Sequence, residues 1–236
     1  MLLKDIKIVL SRTSESGNAG AVCRVLKNMD ITELRLAAPQ PLILEKIYKR
    51  AVNAWDIWEN ARIFDSLASA LEDCSIVVGT TRRRGHNRKS ISMTPRALAA
   101  WLSERQGPAA IVFGNERTGL DDDELNLCNF ASHIPVSEIH PSINLSHAVQ
   151  IYAYEFFLAM EQQSPVKGEW TAMNQTEISQ ITGSITDALA GIGFYKKPNR
   201  EDQTRFLHDV ISRAGLSNSE GMYLRDIFIK AANLGK

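Results

Sequence analysis

Residues 111–149 read IVFGNERTGLDDDELNLCNFASHIPVSEIHPSINLSHAV, and the fold class turns on this stretch. An apolar strand, Ala109–Phe113, runs into a Gly114-Asn115-Glu116 turn. An acidic helix, Asp121–Leu127, follows, and its run Asp121-Asp122-Asp123-Glu124 puts negative charge on the first turn, where the helix dipole favours it. A second short apolar stretch, Ser132–Val136, leads to Pro141-Ser142-Ile143-Asn144-Leu145-Ser146 and a long helix. These are two loops about twenty residues apart, each at the carboxyl end of a parallel strand, where open α/β sheets bind their ligands.

Outward from that stretch, residues 1–163 alternate short apolar strands with amphipathic helices, the pattern of an α/β fold with a parallel sheet and helices on both faces. The expected strands are Ile6–Ser11, Glu33–Ala37, Arg62–Phe64, Ser75–Thr80, Ala109–Phe113 and Ser132–Pro135. The expected helices are Ala19–Met29, Leu44–Asn53, Ser66–Leu71, Pro95–Arg105, Asp121–Leu127 and Asn144–Gln163. Residues 164–174 read as a polar linker with Pro165 and Gly168. Three helical patterns complete the chain within residues 175–236: Gln175–Ile192, Arg200–Ala214 and Asn218–Leu234.

The length of 236 residues suits one domain of about 160 residues and a smaller one. No apolar run approaches the roughly 20 residues that span a bilayer. Met1-Leu2-Leu3-Lys4-Asp5 leads straight into a strand, with no room for a signal peptide, so a cytoplasmic location is expected. Cys23, Cys74 and Cys128 each sit in an apolar context and read as buried reduced thiols. No cysteine or histidine group has zinc spacing. His133, His140 and His147 recur at intervals of seven but fall on different elements, so no metal is expected.

Net charge is zero, with 27 basic and 27 acidic residues. Nucleic-acid binding needs a local basic patch rather than a basic average. Arg82-Arg83-Arg84-Gly85-His86-Asn87-Arg88-Lys89 holds five cations on the loop after Ser75–Thr80. A charge run is usually a solvated loop, but this one leaves the sheet edge that carries the two ligand loops, where it would meet phosphates. Lys196-Lys197-Pro198-Asn199-Arg200 is a second, weaker patch, which Arg205, Arg213 and Arg225 extend. Trp55, Trp58, Trp101 and Trp170 read as packing residues before base-stacking platforms. The absence of GxGxxG after the first strand argues against a dinucleotide-binding oxidoreductase.

After the first strand comes Asn18-Ala19-Gly20-Ala21-Val22-Cys23-Arg24, an Asn, a Gly two residues on and an Arg four later. With the two stretches quoted above, this makes three motifs in order. Together they resemble the SpoU/TrmH branch of the SPOUT RNA methyltransferases, over essentially the whole chain. The resemblance implies a C-terminal trefoil knot in the α/β domain, followed by the helical extension. It implies an S-adenosyl-L-methionine pocket made by Thr80, Thr81 and Arg82, by Gly114 and Asn115, and by Ile134, Ser142, Ile143, Asn144 and Leu145. It assigns catalytic roles to Arg24, Asn18, Glu116, Ser142 and Asn144, with the site built from both subunits of a homodimer. Gly114 would let the cofactor approach the backbone, and Ser142 and Asn144 also suit helix capping. The implied substrate is tRNA, methylated on the ribose 2′-oxygen of cytidine or uridine at the first nucleotide of the anticodon loop. The RNA contacts would be Arg82, Arg83, Arg84, Arg88, Lys89, Lys196 and Lys197. Alternatives are another tRNA site, ribosomal RNA, or a non-catalytic RNA-binding member. The Ser-Ile-Asn-Leu-Ser run departs conservatively from the family's Ser-Leu-Asn followed by Ala or Ser.

Overall fold

The computed structural model describes residues 1–81, 92–139, 141–160, 171–195 and 200–234. Arg82, Arg83, Arg84, Arg88, Lys89, His140, Trp170, Lys196 and Lys197, with most of the expected linker, lie outside the described residues. The described strands are β1 (Ile6–Ser11), β2 (Glu33–Ala37), β3 (Arg62–Phe64), β4 (Ile76–Thr80), β5 (Ser92–Met93), β6 (Ala109–Phe113) and β7 (Phe130–Ser132). They form one sheet in the order β3-β2-β1-β6-β4-β7-β5, with every pairing parallel.

Every residue of β1 and β6 is buried, as central parallel strands require when helices cover both faces. Ile8, Leu10, Ile111 and Phe113 face one core with α1 (Ser16–Asn28), α5 (Pro95–Ser103) and α7 (Leu145–Met160). Val9, Val77, Ala110 and Val112 face the other with α4 (Leu67–Leu71) and α6 (Asp122–Asn126). Alternation along each strand assigns its residues to the two cores. All three cysteines are buried and free, and burial pushes the Cys23 and Cys74 thiols up to about 12. Trp55, Trp58 and Trp101 pack against the first core, as expected.

Three expectations are corrected. The last strand is Phe130–Ser132 and not Ser132–Pro135. Ser132 pairs with Thr80 and Met93, the final residues of both flanking strands, so nothing remains for residues 133–135 to pair with. The two-residue β5 carries too little pattern to be read from sequence. The helix expected over Leu44–Asn53 ends earlier, as α2 (Leu44–Ala51), because Val52 adopts φ 54° and ψ −115°. A 3-10 turn, Val52–Ala54, and α3 (Trp55–Glu59) follow.

The C-terminal helices α8 (Gln175–Gly191), α9 (Arg200–Ala214) and α10 (Asn218–Leu234) share a core of Met173, Ile178, Ile181, Ile185 and Ile211. This bundle meets the sheet where the strands begin. Gln175 N–H donates to the Cys74 carbonyl (3.0 Å), and Ser75 Oγ donates to the Ala172 carbonyl (2.8 Å). No helix among the described residues is long and apolar enough to cross a membrane.

Candidate cofactor and active site

The carboxyl ends of β4, β6 and β7 converge on a cavity of about 200 Å³. Eight of the ten residues expected to hold a cofactor line it: Thr80, Thr81, Gly114, Asn115, Ile134, Ser142, Ile143 and Leu145. Asn144 does not line it, and Arg82 lies outside the described residues. Ser132, His133 and Tyr152 also line it and were not singled out from sequence. At the floor, Tyr152 Oη donates to Ser132 Oγ (2.8 Å), which donates to the Met93 carbonyl (2.7 Å). The main-chain polar groups of Ile134 and Ile143 have no hydrogen-bond partner among the described residues. Free amides and carbonyls on an apolar wall fit the edge and faces of an adenine ring, so the lining suits S-adenosylmethionine.

Gly114 lines the cavity and is also required by the packing of its own loop. A Cβ there would lie 2.2 Å from main-chain atoms of Gly119 and Leu120. The loop folds back on itself, Gly119 N–H donates to the Asn115 carbonyl (2.8 Å), and Gly119 takes φ 70°. The close approach is of chain on chain.

Glu116 reaches from this loop to the turn that opens α1. Its carboxylate accepts from Thr13 Oγ1 (2.6 Å), Ser14 N–H (3.1 Å), Ser14 Oγ (3.2 Å), Glu15 N–H (3.3 Å) and Asn18 Nδ2 (3.5 Å). Burial alone would raise its pKa, but hydrogen bonds from Thr13, Ser14 and Glu15 prevail and hold it below the ordinary carboxylate value. Asn144 Nδ2 donates to Asn18 Oδ1 (2.9 Å), while Asn144 Oδ1 accepts from Ser146 N–H (2.9 Å) and caps α7. Glu116, Asn18 and Asn144 therefore form one hydrogen-bonded chain that ties two loops to the first turn of α1, segments far apart in sequence.

Ser142 sits exposed on the cavity rim. Arg24 does not line the cavity. It is exposed on α1, with no hydrogen bond or ion pair among the described residues. Arg12 was missed from sequence. Its guanidinium bonds Glu124 through Nε (2.9 Å) and Nη2 (2.5 Å), its Nη2 is 3.1 Å from Asp121, and its carbonyl accepts from Asn115 Nδ2 (2.7 Å). It thereby ties β1 to the loop that walls the cavity. Among the described residues no cluster of His, Cys, Asp or Glu has the arrangement of a metal site.

Residues 5–154 match the model of the SpoU rRNA Methylase family. The chain is 39% identical over 189 residues to an uncharacterized tRNA/rRNA methyltransferase of Haemophilus influenzae, covering 80% of this chain and 75% of that one. It is 34% identical to the tRNA (cytidine/uridine-2′-O-)-methyltransferase TrmJ of Cronobacter sakazakii, covering 95% of this chain and 94% of that one. In three dimensions it superposes on the crystal structure of TrmJ from Z. mobilis ZM4 with a TM-score of 0.74 at 28% identity, covering 98% and 99% of the two chains.

Proposed function

Since the chain belongs to the SpoU rRNA methylase family and is an RNA methyltransferase, we propose that it methylates the ribose 2′-oxygen of tRNA, using S-adenosylmethionine. The target is cytidine or uridine at the first nucleotide of the anticodon loop. The observation that carries this reading is the chain Glu116–Asn18–Asn144, which ties two loops to the first turn of α1 beside a cavity with free main-chain groups.

When bound, S-adenosylmethionine would supply an electrophilic methyl group on a sulfonium. The residues do the rest. A ribose 2′-hydroxyl is a poor nucleophile, so most of the catalysis must come from placing it in line and stabilising its developing negative charge. Glu116 accepts five hydrogen bonds from its own chain and so is a positioning residue for Asn18 rather than the base. Ser142 on the rim and Asn18 within the chain orient the ribose. Arg24 clamps the adjoining phosphate from outside the cavity, and its guanidinium stabilises the alkoxide.

The working form is a homodimer whose sites draw on both subunits. The trefoil knot belongs to this reading as well. What supports it is the sheet order, in which β4 and β5 lie on either side of β7. Basic residues Arg82, Arg83, Arg84, Arg88, Lys89, Lys196 and Lys197 hold tRNA phosphates.

The test is transfer of labelled methyl from S-adenosylmethionine to unmodified tRNA transcripts, mapped by resistance of the 3′-phosphodiester to alkali. Label at the first anticodon-loop nucleotide is expected. Label on a base, or none on tRNA in the presence of active cofactor binding, would overturn the assignment.

A further inference from the structure

We propose that the cationic stripe of α2, formed by Lys46, Lys49 and Arg50, is an RNA-backbone contact beside the active site. The inference rests on the RNA methyltransferase reading and adds to it a surface outside the loops and tail.

The placement follows from how α1 and α2 pack. A Cβ on Gly20 would lie 2.3 Å from the Ile47 carbonyl oxygen and 2.9 Å from Arg50 Cβ. A Cβ on Gly17 would lie 4.0 Å from Arg50 Cγ. The stem of Arg50 therefore runs along the first turns of α1, on the face that carries Gly17 and Gly20. The start of α2 is held to the same end, because Ile43 N–H donates to Ser16 Oγ (2.9 Å). Residues 17, 20 and 24 share one stripe of α1 at helical spacing, so Arg24 continues the line that Arg50 follows.

The chemistry points to phosphate. α2 turns Ile47 and Ala51 into the core, and Lys46, Lys49 and Arg50 are all exposed. None of the three has a carboxylate partner among the described residues. Elsewhere in the α/β unit Lys7, Arg12, Lys27, Arg35 and Arg96 are each tied to one. Glu45 is the helix's one carboxylate, and it sits in the first turn. A chain of zero net charge thus places unneutralised positive charge against the first turns of α1, the helix that carries Asn18 and Arg24. A second copy paired symmetrically over this stripe would set like charges against each other. A polyanion meets no such penalty.

The experiment measures tRNA affinity as a function of salt for the full-length protein. K46Q/K49Q/R50Q should bind tRNA about tenfold more weakly, with a log–log salt slope shallower by about 2, because fewer counterions are released. E45K adds a cation to the same helix, so it should bind tighter with a steeper slope. Calorimetry with S-adenosylmethionine reports whether each variant keeps its fold. The inference is overturned by unchanged affinity and slope, or by weaker binding with an unchanged slope, which would signal a distorted helix. A changed oligomeric state by light scattering with intact tRNA affinity would also overturn it. Methyl transfer by the unaltered protein is scored separately, so failure of the α2 contact and failure of the methyltransferase reading are distinguishable.

Discussion

Glu116 shows how one side chain can hold a site without carrying out its chemistry. Three of its five donors are hydroxyl or amide groups that can rotate, but Ser14 and Glu15 present fixed main-chain N–H groups. In Glu116→Gln an NH2 replaces one acceptor and must face a donor. The expected cost is about 1–3 kcal/mol of stability, with methyl transfer lowered at least tenfold as Asn18 loses its anchor. The pH dependence has a definite sign. The folded-state pKa of Glu116 is depressed, so its contribution is present above the unfolded value of about 4.3 and is lost as pH falls through the folded value. Melts from pH 7 to pH 3 should show wild type and variant converging in acid, and a constant difference would refute the account. Asn18, Glu116 and Asn144 could be singled out in the sequence because each sits in one of the three motifs that carry the family resemblance. Thr13, Ser14 and the Arg12–Glu124 pair were not, because partners about a hundred residues apart have no local pattern to betray them.

At the scale of elements, most strands and helices followed from periodicity, and β2, β6, α9 and α10 have the expected bounds. The misses have physical causes. β7 is bounded by its neighbours' lengths, which its own composition does not encode. α2 stops because of a backbone angle rather than a breaker residue. Val52 is β-branched, exposed and held at φ 54°, ψ −115°, a combination that costs roughly 1–3 kcal/mol for any residue with a branched Cβ. Val52→Gly should therefore stabilise the protein by about 1 kcal/mol, after allowing for the greater freedom of glycine in the unfolded chain. A rise of a few degrees in Tm is expected, about 2–4 °C for a chain of this size. A fall in Tm would mean that the packing of the valine side chain outweighs the strain.

For the whole molecule, the sequence implied a parallel sheet, but its strand order follows from pairings between distant segments, which no local pattern encodes. That order matters because it gives the two edges of the sheet different work. The carboxyl edge carries the cavity. The amino edge carries the helical bundle, joined through Gln175 Nε2 to Asn129 Oδ1 (3.0 Å) and the Ser75 carbonyl (3.3 Å), and through Asn129 Nδ2 to Gln175 Oε1 (3.4 Å). Asn129 Oδ1 also accepts from Val77 N–H (2.9 Å), so the docking bonds grip the sheet's own backbone. Gln175→Ala removes these side-chain bonds while the bundle keeps its apolar core of Ile178, Ile181, Ile185 and Ile211. The expected cost is about 1–2 kcal/mol, confined to docking. Amide hydrogen exchange should quicken where α8 meets the sheet and stay unchanged in the loops around Gly114 and Asn144. S-adenosylmethionine affinity should hold within about twofold, since a cost of 1–2 kcal/mol at the far edge leaves the cavity loops paired. If cofactor affinity falls in step with docking, the two edges are coupled through the strands, and the division of work between them is wrong.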